Sequence, residues 1–386
     1  MKSNFTKLII CFFISISTYA QTHNSYYQSV VDNVSATNIL TDLTSFENFG
    51  VKEVGTSALS NTENWITSRY TSLGYTDIEL QPFTYAAGTS NNIIITKTGT
   101  VYPDTYIIID AHYDTINGPG TNDNGSGTVL LLEIARLLTN INTEYSIKII
   151  HFSGEEDGLI GSNYYVNNTV NPENLDIHLV FNLDQVGGVN GATNNTITCE
   201  EDRSNPPANN SESSVITNIL ANCIELYSNL NTQISYAYAS DYVPFENNGE
   251  IITGLYETNE TTHAHTPTDL LINMDPAYLT EVTKGALGAL LEFAVSTNAL
   301  STNENIQDPI SIYPNPSNNG VLNLNFLNAT STNRSLKIYD VLGKEIYTKS
   351  NLQVSETIPL KGLQKGMYIV VLKTDNKSIT KKWIIN

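Results

Sequence analysis

The sequence predicts an α/β domain, a sheet covered by helices, followed by a small all-β sandwich, and three observations predict it. Between about Asn33 and Ala299, helical periodicity alternates with short apolar runs rich in Ile and Val, the pattern of buried strands beneath helices. Around residues 299–308 the chain turns to Ser, Thr and Asn with little apolar content, which reads as a linker. Beyond it, apolar and polar residues alternate at period two between Gly-containing turns. At 386 residues the chain is long enough for one large core and a smaller module.

Taken in order, Lys2 and Lys7, the apolar run Leu8–Ile16 and Thr18-Tyr19-Ala20 show the basic, apolar, small-residue order of a secretory signal peptide. Residues 1–20 are assigned to it, with cleavage after Ala20. Residues 21–33 are expected to be a propeptide or N-terminal extension, and residues 34–298 the main domain. Asn61–Leu73 places Trp65, Ile66, Tyr70 and Leu73 on one face ahead of Gly74, a helix with a glycine stop. Strands are expected at Asn92–Thr96, Tyr106–Ala111, Ser146–Phe152, His178–Leu183 and Ile251–Tyr256. Helices are expected at Ser126–Leu138, Asp157–Val166, Ser211–Tyr227 and Pro276–Phe293.

In residues 309–386, the segments Val321–Phe326, Leu336–Tyr339 and Met367–Leu372 are the expected strands. This stretch holds ten Lys and Arg against four Asp and Glu, whereas the rest holds nine against 35. The formal charge of −20 repels phosphate backbones and anionic membrane surfaces, so no nucleic-acid partner is expected. After residue 20 no run approaches the roughly 18 apolar residues of a membrane helix, so no membrane span is expected. Cys199 and Cys223 remain after loss of Cys11, and their spacing leaves pairing between them open.

Zinc in catalytic sites takes nitrogen and oxygen ligands, and paired ions need a carboxylate able to bridge them. His112 follows the run Tyr106–Ile109, at the carboxyl end of an expected strand, where α/β sheets gather their ligands. Asp114, two residues on, is placed to accept the other ring N–H of a ligating His112. Asp123 lies in Thr121-Asn122-Asp123-Asn124-Gly125-Ser126-Gly127, a candidate bridge. Alone, that loop reads more readily as an ordinary turn with Ser126 capping the next helix.

The strand ending Ile149-Ile150-His151-Phe152 runs into Ser153-Gly154-Glu155-Glu156-Asp157-Gly158. Adjacent acids repel unless a cation compensates, so one can ligate while its neighbour takes a proton from water. They fit the acidic first turn of a helix as well. Asp184 follows the strand His178–Leu183, a third acid at a strand end. The last candidate is His265 in His263-Ala264-His265-Thr266-Pro267-Thr268-Asp269, with His263 able to substitute. His23, His151 and His178 are read as structural.

These segments resemble metallopeptidase family 28, the co-catalytic zinc aminopeptidases, across roughly Val34–Val295. The match rests on Ala111-His112-Tyr113-Asp114-Thr115, Asp123-Asn124-Gly125-Ser126-Gly127, Gly154-Glu155-Glu156, Leu183-Asp184-Gln185-Val186-Gly187 and His265-Thr266-Pro267-Thr268-Asp269, in the family's order. Asn64-Trp65-Ile66, Leu73-Gly74-Tyr75 and Gln81-Pro82-Phe83 add to it. The resemblance implies a mixed central sheet flanked by helices, the zinc exopeptidase fold. It implies two Zn2+ ions, one held by His112 and Asp184, the other by Glu156 and His265, with Asp123 bridging. Glu155 is then the general base, Asp123–Asn124 is a cis peptide, and Tyr238 meets the tetrahedral intermediate. Ala237 and Ala239 stand where some members have cysteines, and Ala264 where others have a tyrosine.

Residues 309–386 resemble the type A sorting domain of the type IX secretion system through Ile312-Tyr313-Pro314-Asn315-Pro316, Ile338-Tyr339-Asp340-Val341-Leu342-Gly343-Lys344 and Leu363-Gln364-Lys365-Gly366-Met367-Tyr368. The expected partners are therefore peptide substrates and the type IX machinery, and the expected location is secreted or cell surface. The competing readings are a carboxypeptidase or other amide hydrolase of the same fold, and a noncatalytic surface-binding protein.

Overall fold

The computed structural model describes residues 21–237, 239–298, 310–317, 320–326, 334–340, 343–360, 362–373 and 378–385. The expected signal peptide, the expected linker and Tyr238 lie outside these. The chain divides into two compact units, 1–299 and 300–386.

An eight-stranded mixed sheet organises the first unit. Its strands are β1 (Ile78–Tyr85), β2 (Gly88–Lys97), β3 (Tyr102–His112), β4 (Tyr145–Phe152), β5 (Asp176–Leu183), β6 (Thr196–Glu201), β7 (Asn231–Tyr236) and β8 (Ile252–Glu257). Across the sheet they run β1-β2-β4-β3-β5-β8-β6-β7. The pairs β4-β3, β3-β5 and β5-β8 are parallel, while β1-β2, β2-β4 and β8-β6 are antiparallel. The central strands are apolar on both faces because helices cover both. Ile93, Ile95, Ile107, Ile109, Ile147 and Ile149 point into one core, and Ile94, Ile108, Ile150 and Val180 into the other, the period-two alternation of a strand.

The larger core is closed by α1 (Ser25–Val31), α2 (Ala36–Asn48), α3 (Ser57–Ser72), α4 (Gly125–Leu138), α6 (Asn210–Tyr227) and α8 (Pro276–Phe293). The smaller is closed by α5 (Ile160–Tyr165), the π-helical turn Val166–Val170 that continues it, and α7 (Val243–Asn248). In α8, Asp275 accepts the N–H groups of Ala277 and Tyr278, and Pro276 occupies the first turn, where its missing N–H has no cost. α4 is buried nearly all round, as a helix lying between sheet and outer helices must be.

Several expectations change. Residues 21–33 contain α1, whose Tyr27 and Val31 are buried in the main core, and the Asn24 N–H donates to the Tyr227 hydroxyl at 3.0 Å. The helix expected from Asp157 starts at Ile160, because Gly154, Gly158 and Leu159 adopt positive φ and turn the chain first. β1, β6 and β7 complete the sheet without having been expected. Cys199 on β6 and Cys223 on α6 are both buried as free thiols.

The second unit is all-β. One sheet orders β9 (Ile310–Tyr313), β10 (Val321–Phe326) and β13 (Ser355–Pro359). The other orders β12 (Glu345–Ser350), β11 (Ser335–Asp340), β14 (Gly366–Lys373) and β15 (Ser378–Ile385). Leu322, Leu324, Phe326 and Ile358 of the first meet Leu336, Ile338, Val370, Leu372 and Trp383 of the second in one core, a sandwich.

Candidate metal centre

Parallel strands β4, β3 and β5 lie side by side, so their carboxyl ends reach one edge of the sheet. His112 is the last residue of β3, Glu155 and Glu156 occupy the turn after β4, and Asp184 directly follows β5. β8, parallel to β5, leads to the loop that carries His265. Asp123 precedes α4, which starts from the same edge.

Asn124, not Ser126, caps α4. Its Oδ1 accepts the Gly127 N–H at 2.9 Å and its Nδ2 donates to the Leu183 carbonyl at 2.7 Å. Ser126 Oγ donates to the Asn122 carbonyl at 2.7 Å and accepts the Val186 N–H at 3.0 Å, tying the loop before α4 to the one after β5. Gly127 permits this approach, since a Cβ there would lie 2.7 Å from the Leu183 carbonyl oxygen. The Asp123–Asn124 peptide is cis.

The candidate side chains meet in two overlapping groups: His112, Glu155 and Asp184, and His112, Asp123 and Glu156. His112 Nε2 stands 3.3 Å from Asp123 Oδ1, 3.5 Å from Asp184 Oδ1 and 3.8 Å from Glu155 Oε2. His265 Nε2 stands 3.0 Å from Asp123 Oδ2 and 2.9 Å from Glu156 Oε2. Asp123 thus offers one oxygen to each histidine. His263 is turned away, its Nδ1 meeting Thr268 Oγ1 at 2.8 Å.

Charge in this pocket is poorly compensated by protein alone. Burial and the Asp184, Asp114 and Asp123 carboxylates push Glu155 up to about 8 against the pull of His112. Burial, with Asp123 next, pushes Glu156 up to about 10. Burial opposes charge on His112, but Glu155, Asp184 and Asp123 together hold its pKa well above the ordinary value. Asp123 is lowered to about 2, because the two imidazoles beside it, His112 and His265, outweigh its burial.

The donor set fits zinc. His112 Nε2, Asp123 Oδ2, Glu156 Oε1 and Asp184 Oδ1 are buried with no hydrogen-bond partner, an arrangement that costs free energy unless a cation takes it up. Ligand atoms about 2.0–2.2 Å from a tetrahedral zinc stand roughly 3.3 Å from one another, close to the separations seen here. His112 Nδ1 lies 3.1 Å from the Asp114 backbone carbonyl, which can only accept, so in the neutral ring the proton sits on Nδ1 and Nε2 is left free for a metal. The Asp114 carboxylate, expected as that partner, lies 3.8 Å from the ring and accepts the N–H groups of Glu155 and Glu156 at 3.3 Å each.

Further residues support the site without having been singled out. Asp269 receives the Asn122 N–H on Oδ1 at 2.9 Å and the Asp123 N–H on Oδ2 at 3.0 Å. Glu257 accepts from Asn122 Nδ2 at 2.9 Å, the Gly188 N–H at 2.7 Å and the Thr261 N–H at 2.9 Å. Ser240 Oγ donates to Asp184 Oδ2 at 2.7 Å. Buried Lys52 donates to the Gly50 and Pro119 carbonyls at 2.8 and 2.6 Å, and burial lowers its pKa to about 7. Only Asp269 left a trace in the sequence, as the closing acid of the His265-Thr266-Pro267-Thr268-Asp269 segment.

The pocket above the cluster measures about 420 Å³, and its walls add Gly158, Leu159, Gln185, Ala239, Tyr256 and Glu260.

Residues 92–290 match Peptidase family M28, and residues 311–386 match the secretion system C-terminal sorting domain. Among curated proteins, Aminopeptidase Y of Saccharomyces cerevisiae is 32% identical over 176 residues, 44% of this chain and 31% of that protein. The chain thus spans less than a third of this relative's length. Among solved structures, the Legionella pneumophila LapA aminopeptidase has a TM-score of 0.62 at 21% identity, covering 76% of this chain and 80% of that one. The Macrostomum lignano glutaminyl cyclase has a TM-score of 0.61 at 14% identity, covering 75% and 95%. At such identities these two establish a shared fold alone. A match across just over half of the chain, on the segment that delivers His112, Asp123, Glu155, Glu156, Asp184 and His265 to one sheet edge, places the protein in peptidase family M28, and its sorting domain marks it as secreted or cell-surface.

Proposed function

We propose that the chain is a zinc-dependent aminopeptidase that removes residues from the free amino ends of peptides. The observation that carries this reading is the set of bare buried donor atoms at the floor of a pocket whose described walls hold Glu260 and no Lys or Arg. A terminal carboxylate would need a cation there, whereas an α-ammonium is attracted by the carboxylates. The aminopeptidase names of the yeast and Legionella proteins point the same way. His112 and Asp184 would hold one zinc, Glu156 and His265 a second, and Asp123 both. When bound, the ions supply Lewis acidity toward the scissile carbonyl and acidify water.

Glu155 is the general base. Half-buried at the pocket wall with Oε2 3.8 Å from His112 Nε2, it receives a proton from the attacking water and passes it to the leaving amine. Tyr238, beside pocket-lining Ala239, is proposed to hydrogen-bond the tetrahedral intermediate. The sorting domain is proposed to engage type IX secretion machinery during export.

The test compares release of amino acids from matched peptides with free, acetylated or amidated ends, before and after chelation and with zinc restored. Cleavage confined to free amino ends, lost on chelation and regained with zinc, is expected. Cleavage of amino-blocked peptides from their carboxyl ends would overturn the aminopeptidase reading, and no cleavage by folded, zinc-loaded protein would favour a binding role.

A further inference from the structure

A second corner of the main unit collects oxygen atoms that the protein leaves unmatched. Asp202, just past β6, and Glu246 on α7 are 1% and 4% exposed, and their carboxylates lie in hydrogen-bonding contact. Two acids so placed repel unless a proton or a cation lies between them. Asp202 Oδ1 accepts the Ser204 N–H at 2.7 Å, while Asp202 Oδ2 and Glu246 Oε2 are buried and unpartnered.

Asn209, 4% exposed, joins them. Its Nδ2 donates to the Glu250 carbonyl at 2.7 Å and the Glu246 carbonyl at 3.4 Å, which orients the amide and leaves Oδ1 buried and bare. Asn210 Nδ2 donates to the Ser204 carbonyl at 3.1 Å, and Asn210 Oδ1 and Ser204 Oγ are likewise buried without partners. A proton shared between the carboxylates would relieve that pair alone. The two amide oxygens can only accept, so they would remain unmatched, and folded interiors hold few such groups.

We infer that the loop 202–210 and α7 form a calcium site, with Asp202 and Glu246 as its charged ligands and Asn209 as a neutral one. The donors are all hard oxygens, with no nitrogen or sulfur to favour zinc. Two carboxylates with neutral amide and hydroxyl oxygens from an irregular loop suit the six to eight oxygen ligands and flexible geometry of Ca2+. Mg2+ demands a stricter octahedron and keeps its water. The site has a reach beyond itself, because α7 begins directly after the Ala239–Tyr242 segment, whose Ser240 holds Asp184. Calcium here would brace the helix that directly follows that segment.

The test uses the full chain with its zinc sites saturated first, then stripped of calcium. Calcium is titrated calorimetrically, and thermal unfolding is followed with CaCl2 or MgCl2. One additional calcium per chain is expected, with Kd roughly 10⁻⁴–10⁻³ M as in extracellular modules. Ten millimolar calcium should raise Tm by about 2–4 °C, and magnesium by less. The double variant Asp202→Asn/Glu246→Gln should lose this binding, and Asn209→Ala should weaken it at least tenfold while keeping both acids. Asn209→Ala decides the matter if the double variant does not fold. No calcium binding by zinc-loaded wild type, or binding unchanged in the folded variants, would overturn the site.

Discussion

Glu155 and Glu156 are neighbours in the chain but face different groups, and their environments separate their roles. Glu156 lies against His265 and Asp123, whereas Glu155 stands nearer His112 and Asp184. Glu155→Gln keeps the shape and removes the proposed base, so kcat should fall by about 10²–10⁴ with zinc content by atomic absorption unchanged; loss of zinc would mean the two roles are exchanged. Asp269 acts through backbone. Asp269→Asn turns one of two accepting oxygens into a donor facing an N–H, and chelator competition should show zinc affinity about 10–100-fold weaker. His151 is buried on β4 with Nε2 2.8 Å from the Tyr70 hydroxyl, and burial lowers its pKa to about 3. The unfolded imidazole titrates near ~6.5, so the unfolded chain binds more protons in between. Stability tied to His151 is therefore complete above that value and falls as pH drops toward about 3. At pH 4.5 the loss is about 2–3 kcal/mol, and His151→Asn should show a smaller drop in urea midpoint between pH 7 and pH 4.5.

The elements that hold the ligands depend on how closely α4 approaches β5. Gly127→Ala would set a methyl against the Leu183 carbonyl, with Ala111 Cβ 3.0 Å away, so α4 must lift from the sheet. The expected destabilisation is about 1–3 kcal/mol, read from the urea midpoint, with weaker zinc binding because Asp123 and Asp184 sit on the two sides that separate. Buried elements were legible in the sequence and edge elements were not. β3, β4 and β5 announced themselves as short runs rich in Ile, Leu, Val and Phe because both their faces are covered. β7, Asn231–Tyr236, is an edge strand with no buried residue, held to β6 by its backbone ladder and the Gln233–Thr198 side-chain hydrogen bond, and composition carries no record of such pairing. The turn holding Glu155 and Glu156 resembles a helix start in sequence, and positive-φ residues after it delay the helix.

At the scale of the whole molecule, the two units carry separate cores, two clusters around the sheet of the first and one within the sandwich of the second. Residues 21–298 made alone should therefore fold cooperatively, bind zinc and keep kcat/KM within about twofold of the full chain, since each core is complete in itself. A large loss of activity in the soluble, folded fragment would show that the second unit supports the first. The charge difference between the two stretches, acidic before residue 309 and basic after it, follows the same division.

By itself the sequence determined which candidate donors the chain carries, their order and, for His112, Glu155, Glu156 and Asp184, their places where strands end, because metal chemistry restricts which side chains can serve and a parallel sheet presents side chains where apolar runs stop. Tertiary structure alone decided which histidine of His263 and His265 turns inward, and that the Asp114 carbonyl rather than its carboxylate meets His112. It also brought Asp269, Glu257 and Ser240 behind the ligands, and assembled the Asp202–Glu246 corner from segments 44 residues apart. These outcomes depend on strand order, burial and backbone direction, which arise only when distant segments pack against one another.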